Sequence, residues 1–151
     1  MSTQPEPPRF GVGVDILQVS RMARLVAENP GILEQVFTRR ESEYCLAKRR
    51  CHEHLAARFA AKEAVLKAFG TGLAQRMRWT DVEVVLDPAG RPRVRLHGDV
   101  AVWAERQRVA SLEVSLSHTA DLAIAQALVM WDRVSFRTSE GRAAALEFPD
   151  A

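Results

Sequence analysis

The chain has 151 residues, a length that predicts one domain built around one hydrophobic core. Hydrophobic residues make up 47% of it and charged residues 26%, which argues against disorder, collagen-like repetition and a disulfide scaffold. The net charge of +2 is too small to define a partner, and no apolar stretch approaches the roughly 20 residues that cross a bilayer. The amino terminus lacks the pattern of a secretory signal, so we expect a cytoplasmic protein whose two cysteines remain thiols.

The first predicted elements are a strand and a helix. Residues 10–19 alternate small and branched apolar side chains around one acid, Asp15, which predicts a buried strand. Ser20 is a candidate N-cap for a helix over residues 21–28, which the Asn-Pro-Gly sequence at 29–31 would end. Because an isolated buried carboxylate is costly to keep ionised, Asp15 is a candidate functional residue.

A long helical segment is predicted in the middle of the chain. Thr38 and Glu41 have the spacing of a capping box, in which each side chain accepts a backbone N–H of the other residue. The alanine-rich sequence that follows predicts a helix with a break near residues 51–52 and an end at Gly70-Thr71-Gly72.

The second half of the chain predicts a β-hairpin, a helix and two strands. Alternating apolar residues on both sides of a turn at 87–90 indicate the hairpin. Asp99 is a candidate N-cap for a helix over residues 100–108, and period-two patterns follow at 112–116 and 122–129.

Two neighbouring faces of the long helix differ in composition. The face expected to meet the core carries Leu55, Phe59, Leu66 and Phe69. Lys62 falls within this apolar face, so we expect it to extend outward to solvent or to cover a subunit contact. The adjacent face carries Ala56, Ala60, Glu63, Ala64 and Lys67. The alanines leave space beside the charged pair, as expected where a ligand approaches a helix.

Asp15, Glu63 and Lys67 form a candidate metal and phosphate site. Glu63 and Lys67 alone could be an ordinary surface ion pair four residues apart, which contributes about 0.2–0.5 kcal/mol. A divalent cation would relieve the repulsion between the Asp15 and Glu63 carboxylates, since Mg²⁺ takes one or two carboxylates together with substrate phosphates. Lys67 would then be the cation that meets a phosphate.

His118 ends a strand at a tight turn, where functional residues are common, although a structural turn histidine is the alternative. Cys45, Cys51, His52 and His54 have the chemistry of zinc ligands without a familiar zinc spacing, so we interpret them as helix surface. Phosphate-binding, dinucleotide-binding and nucleophile-elbow motifs are absent from the sequence.

Several segments, in order, resemble those of the holo-[acyl-carrier-protein] synthases, the small group of 4′-phosphopantetheinyl transferases. The resemblance spans residues 10–130. Its segments are GVGVDILQVSR at 11–21, FTRRESEY at 37–44, RFAAKEAVLKAFGTG at 58–72, the PAGRP turn of the hairpin and SLSHTADLAIA at 115–125.

The resemblance implies a fold, a reaction and an assembly. The fold is α+β, a single domain over residues 10–131 in which antiparallel strands pack on a long central helix, with a flexible lead at 1–9 and a tail at 132–151. The reaction moves 4′-phosphopantetheine from coenzyme A to a serine of apo acyl carrier protein with Mg²⁺, and it releases adenosine 3′,5′-bisphosphate. The assembly is a homotrimer with coenzyme A between subunits.

The resemblance also assigns roles to individual residues. Asp15 and Glu63 would bind Mg²⁺ and, with Lys67, form the catalytic group. The coenzyme A site would be lined by Arg58, Lys67, Gly70, Thr71, Gly72 and His118. Arg21 would dock the carrier protein.

Alternatives remain at this stage. A relative that binds the carrier without modifying it would share the motifs, and a nucleic-acid-binding module would use the arginine clusters but leave both acids without a role. Glu63 or a water molecule could take the serine proton. The run at 48–50 could contact the 3′-phosphate of coenzyme A or the carrier, which could serve fatty-acid or polyketide synthesis.

Overall fold

A computed structural model describes residues 7–132, which contain five strands and five α-helices. The predicted lead and tail therefore lie largely outside the described residues. The strands are β1 (Arg9–Gln18), β2 (Val82–Leu86), β3 (Pro92–Leu96), β4 (Val109–His118) and β5 (Leu122–Trp131). The helices are α1 (Val19–Glu28), α2 (Ile32–Val36), α3 (Arg39–Leu46), α4 (Cys51–Phe69) and α5 (Gly98–Arg106).

The strands form two antiparallel sheets. In the larger sheet β5 lies between β1 and β4, and in the smaller one β2 pairs with β3 as the predicted hairpin. The 19-residue helix α4 packs across the larger sheet. The predicted α+β fold, with antiparallel strands on a long central helix, is therefore confirmed. Within residues 7–132, no helix is both long and apolar enough to cross a membrane.

Small residues bring α4 unusually close to the sheet. Gly11 and Gly13 of β1 face the helix, and a Cβ atom at either position would overlap a backbone carbonyl of α4. Ala123, Ala125 and Ala127 of β5 continue this face and are almost completely buried. The alanines of α4, including Ala56, Ala60 and Ala64, are also fully buried. The expectation that they leave space for a ligand is therefore wrong, because their small size serves the contact with the sheet.

Lys62 is also placed differently from the prediction. Its side chain is 0% exposed and neither extends to solvent nor lies on an open surface of the chain. Its Nζ atom donates to Glu41 Oε2 at 2.8 Å, to the Trp79 carbonyl at 3.0 Å and to the Val82 carbonyl. Burial lowers the pKa of Lys62, although the Glu41 carboxylate opposes this effect. The lysine thus ties α4 to α3 and to the start of β2.

Some helix ends match the predicted signals and others do not. Thr38 and Glu41 form the predicted capping box at the start of α3. A break before α4 is also present, but it lies at residues 47–50, slightly earlier than the predicted position near 51–52. Ser20 is not an N-cap, since α1 already begins at Val19 directly after β1. Asp99 is likewise inside α5, whose N-cap is His97. The short helix α2 was not predicted.

Candidate active site

Asp15, Glu63 and Lys67 lie together where β1 crosses α4. Asp15 is on the inner face of β1, the same face as Gly11 and Gly13, so the close packing of the helix on this strand brings its carboxylate to α4. Lys67 Nζ lies 2.7 Å from Asp15 Oδ1 and 3.1 Å from the Val14 carbonyl oxygen. Lys67 therefore pairs with an acid on the strand, rather than with Glu63 on its own helix.

The charges in this cluster perturb one another. Burial raises the pKa of Glu63, and the nearby Asp15 carboxylate raises it further, whereas Lys67 and Arg21 act in the opposite direction. The hydrogen bond to Asp15 raises the pKa of Lys67 despite some desolvation. These effects show that Asp15, Lys67 and Arg21 lie close enough to Glu63 to change its pKa. In the sequence the four residues are as much as 52 residues apart.

This cluster offers two carboxylates, those of Asp15 and Glu63, as possible ligands for a cation. No group of three or more His, Cys, Asp or Glu side chains around one point occurs in the described chain. The donors nevertheless fit Mg²⁺, which commonly takes one or two carboxylates and completes its octahedron with water and substrate phosphates. Burial, and after it repulsion from the Asp15 carboxylate, raises the pKa of Glu63, and a bound cation would relieve the second of these two effects.

His118 belongs to a second cluster, at the other end of α4. Its Nδ1 atom lies 3.0 Å from Glu53 Oε2, and its ring makes an edge contact with His54 at a centroid distance of 5.0 Å. His54 in turn contacts the ring of Tyr44 at 5.9 Å. His54 is half-buried among aromatic rings, so the interpretation of this residue as helix surface is wrong.

Arg58 lies beside this second cluster with an unsatisfied polar atom. Its guanidinium stacks on the Tyr44 ring at 4.1 Å, and Lys48 Nζ lies 4.6 Å from the same ring. The residue is only 5% exposed, and within residues 7–132 its Nε atom has no hydrogen-bond partner. A buried N–H donor without a partner is rare, which makes Arg58 a candidate ligand-binding residue.

Cys45 and Cys51 are both free thiols, as predicted. Cys45 is completely buried, which corrects its interpretation as helix surface, and burial raises its pKa to about 11. With its thiol so buried and so weakly acidic, Cys45 serves packing rather than metal binding or catalysis.

Gly70, Thr71 and Gly72 form the C-terminal end of α4. Their three backbone N–H groups all donate to the Leu66 carbonyl oxygen, at 3.1 to 3.3 Å. Gly70 and Gly72 adopt φ of 80° and 58°, which glycine tolerates without strain. Space is open beside both glycines, since a Cβ atom would meet nothing within 4 Å. The segment therefore offers an accessible surface, while its amides are engaged in closing the helix.

The residues predicted to bind coenzyme A do not converge within one chain. Arg58 lies near the middle of α4 and His118 contacts its first turn, whereas Gly70–Gly72 follow its end, about 18 Å from Arg58 along the axis. Asp15, Glu63 and Lys67 lie near the latter end. One subunit thus presents two halves of the predicted site on separate parts of its surface.

Comparison with known proteins identifies the family of the chain. The family model described as the 4′-phosphopantetheinyl transferase superfamily matches residues 11–127. A holo-[acyl-carrier-protein] synthase of Geobacter sulfurreducens is 49% identical over 82% of this chain and 98% of its own length. A second, from Moorella thermoacetica, is 48% identical over 78% of this chain and 91% of its own length.

Solved structures show the same similarity. The complex of ACPS with CoA from Chronobacterium ammoniagenes has a TM-score of 0.74 and 31% identity, and the match covers 83% of this chain and 99% of that one. The chain therefore belongs to the 4′-phosphopantetheinyl transferase superfamily. The resemblance to the holo-[acyl-carrier-protein] synthases is confirmed, and with it the expectation that the chain is an enzyme.

Sequence reasoning missed the partners of the predicted residues. Glu53 was not singled out, because 65 residues separate it from His118 and no spacing rule connects them. Glu41 was recognised only as a helix cap, although it also pairs with Lys62. The available signal for Glu53 was its position at the start of a helix, next to His54.

Proposed function

We propose that this enzyme transfers the 4′-phosphopantetheine group of coenzyme A to a serine of apo acyl carrier protein, with Mg²⁺, and releases adenosine 3′,5′-bisphosphate. The observation that carries the proposal is the convergence of Asp15, Glu63 and Lys67 on one end of α4. Two carboxylates and an ammonium are the groups needed to hold a divalent cation against a diphosphate. The family to which the chain belongs supports the identity of both substrates.

Asp15 and Glu63 would hold the cation. Bound Mg²⁺ would neutralise charge on the diphosphate of coenzyme A. The buried face of β1 fixes Asp15 on one side, and α4 fixes Glu63 on the other. Because both elements hold their carboxylates in place despite the repulsion between them, the site needs no rearrangement when a cation binds.

Lys67 would contact a phosphate oxygen. An ammonium has three N–H donors, and the contacts within residues 7–132 use two of them, toward Val14 and Asp15. Half of the Lys67 side chain is exposed, so the third donor can reach a ligand. Phosphoryl transfer needs positioning and charge stabilisation more than a protein nucleophile, since the carrier's serine supplies the attacking oxygen.

The remaining predicted residues would bind coenzyme A across a subunit boundary. The Nε donor of Arg58 is buried and without a partner within residues 7–132, so it fits a phosphate oxygen. Lys48 contacts the ring of Tyr44, on which Arg58 also stacks. His118 would complete this half of the site, while Gly70–Gly72 of a neighbouring subunit would supply the other half. The distance between the two halves in one subunit supports a shared site.

The assembly proposed is a homotrimer. The larger sheet has an outer face, directed away from α4, on which apolar side chains are 41% to 61% exposed. These side chains are Phe10, Val12, Val14 and Ile16 of β1 and Leu122, Ile124 and Leu128 of β5. Contiguous exposed apolar surfaces of this kind mark protein contacts. Contact between outer faces would bury them and bring neighbouring subunits together beside β1, which carries Asp15.

Arg21 would dock the carrier protein. It is exposed on α1, one turn before Arg24, and it is close enough to lower the pKa of Glu63. Acyl carrier proteins are acidic, so a pair of arginines at the border of the site would speed their encounter with the enzyme.

The reaction is tested by mass spectrometry of an apo acyl carrier protein after incubation with the enzyme, Mg²⁺ and coenzyme A. We expect a mass increase of one phosphopantetheine group, and Glu63→Gln should reduce the rate at least about 100-fold. Glu43→Gln is the matched control, because Glu43 is an exposed acid whose ion pair among residues 7–132 is with the exposed Arg39. Carrier binding without any mass change, for several carriers, would instead support the catalytically silent alternative.

The metal site is tested separately from turnover. Calorimetric titration with Mg²⁺ in the presence of coenzyme A should show binding that Asp15→Asn and Glu63→Gln both weaken. Equal affinity in these variants and in Glu43→Gln would refute the assignment of the two acids as metal ligands.

The trimer is tested by light scattering of the wild type and of Val12→Glu, which places a charge on the outer face. We expect a trimer for the wild type, and a monomer with little affinity for coenzyme A for the variant. Val102→Glu is the control, since Val102 is similarly exposed but lies on α5. A monomeric wild type with full activity would refute the shared site.

The docking role is tested by steady-state kinetics. Arg21→Ala should raise the KM for the carrier several-fold, more at low salt than at high salt, and leave the KM for coenzyme A near that of the wild type. Arg106→Ala, an exposed arginine at the end of α5, is the control. An unchanged KM for the carrier in Arg21→Ala would refute docking at α1.

A further inference from the structure

Glu53 is a buried acid whose shortest side-chain contact is with the ring of His118. It lies in the first turn of α4, and its side chain is only 11% exposed. One carboxylate oxygen is 3.0 Å from His118 Nδ1, and the other is 3.6 Å from the guanidinium of Arg50. The Arg50 side chain is 70% exposed, so its attraction is weakened by solvent. The contact with His118 is therefore the main polar interaction of this buried carboxylate.

The ring of His118 is held from two directions. Glu53 engages Nδ1, and the His54 ring packs against it at an interplanar angle of 63°. The ring sits at the last residue of β4, where the strand ends and the chain turns toward β5. Because Nδ1 is directed at Glu53, Nε2 is on the opposite side of the imidazole.

The contact also determines which nitrogen carries hydrogen. A carboxylate only accepts hydrogen bonds, so the Nδ1 atom facing it must be the N–H donor. With hydrogen on Nδ1, Nε2 is the acceptor on the opposite side of the ring, where it can accept a hydrogen bond from a hydroxyl or amide N–H of coenzyme A. An apolar side chain at position 53 would remove both the orientation and the charge.

We propose that Glu53 is a positioning residue for His118, which it orients so that Nε2 is presented to coenzyme A. The proposal rests on the proposed function in one respect, the assignment of His118 to the coenzyme A site. Glu53 itself would not touch the substrate. Its effect would pass entirely through the imidazole, in the way that outer carboxylates orient histidine ligands in metal sites.

The orientation is tested without any substrate by NMR of the imidazole nitrogens, with His118 assigned by comparison with His118→Ala. In the wild type we expect the Nδ1–H form, and in Glu53→Leu a shift toward the Nε2–H form. Glu53→Gln loses the charge and adds an N–H donor that can face Nδ1, so it should shift the ring partly toward the Nε2–H form, and it is the variant measured where Glu53→Leu does not fold. Ring nitrogen signals that are the same in the wild type and Glu53→Leu would overturn the proposal.

The functional consequence is tested by kinetics. Glu53→Leu should raise the KM for coenzyme A about tenfold while kcat changes much less. In the His118→Ala background the same substitution should have no further effect, because the residue through which it acts is gone. Glu43→Leu controls for removal of an acid from a neighbouring helix, and it should leave both constants unchanged.

Two results separate the proposal from the function on which it rests. An equal rise in KM for Glu53→Leu with and without His118 would overturn the positioning role, because the effect would then be structural. If His118→Ala left the KM for coenzyme A unchanged while the imidazole signals still responded to Glu53, the substrate role of His118 would be refuted and the pairing with Glu53 supported.

Discussion

Replacing Lys62 with methionine should remove a buried ammonium while keeping most of the volume and the apolar stem of the side chain. The substitution leaves the Glu41 carboxylate buried without its cation, and it leaves the Trp79 and Val82 carbonyls without a donor. Removal of one partner from a buried ion pair typically costs about 3–5 kcal/mol. Since a domain has about 5–15 kcal/mol of unfolding free energy in total, we expect a loss of roughly a fifth or more of it.

Urea unfolding followed by circular dichroism, at one fixed protein concentration, measures this loss. Arg39→Met is the matched control, because Arg39 forms its ion pair with Glu43 at 92% side-chain exposure and should contribute no more than about 0.5 kcal/mol. Adding Glu41→Gln to Lys62→Met should recover part of the stability, since no unpaired carboxylate remains. A loss below about 1 kcal/mol for Lys62→Met would refute the interpretation of this buried pair.

Three further predictions concern other parts of the chain. Gly13→Ala should abolish or severely destabilise folding, measured by thermal unfolding, because its methyl group would overlap a backbone carbonyl of α4. In the native protein iodoacetamide should modify Cys51 but not Cys45, as seen by mass spectrometry, because burial raises the pKa of Cys45 to about 11. Asp15→Asn should lower the pKa of Glu63 in an NMR titration without metal, because it removes a like charge; an unchanged pKa would contradict their proximity.

The sequence predicts local structure well where the signal is itself local. The capping box of Thr38 and Glu41 and the strand β1 depend on residues close in the chain, and both are confirmed. The prediction that this strand is buried is wrong, because only one of its faces packs on α4 and the apolar residues of the other face are exposed. The choice of Asp15 also came from a local anomaly, a single acid in an apolar strand. The contact of Asp15 with Lys67 requires β1 to pack on α4. The sequence pattern favours such packing, but it does not determine which residues of the two elements meet.

Predictions that depended on what an element packs against were less successful. Lys62 lies on the core face of α4, and sequence rules assume that a lysine there reaches solvent. In the fold, α3 provides a carboxylate at that face, and the start of β2 and the turn before it provide the carbonyls of Val82 and Trp79. The alanines of α4 were misinterpreted for the same reason, because nothing local reveals that a glycine-bearing strand lies against them.

The two faces of the strand β1 have different surroundings. Its odd-numbered residues, from Gly11 to Leu17, face α4 and include the acid of the candidate site, while Phe10, Val12, Val14 and Ile16 face outward. Successive side chains alternate, so inserting or deleting one residue within the strand would exchange the two sets. Such a change would send isoleucine and valine toward the helix and aspartate to the outer face. The acid of the candidate site and the exposed apolar face therefore share one register, and a one-residue insertion or deletion in this ten-residue strand would displace both together.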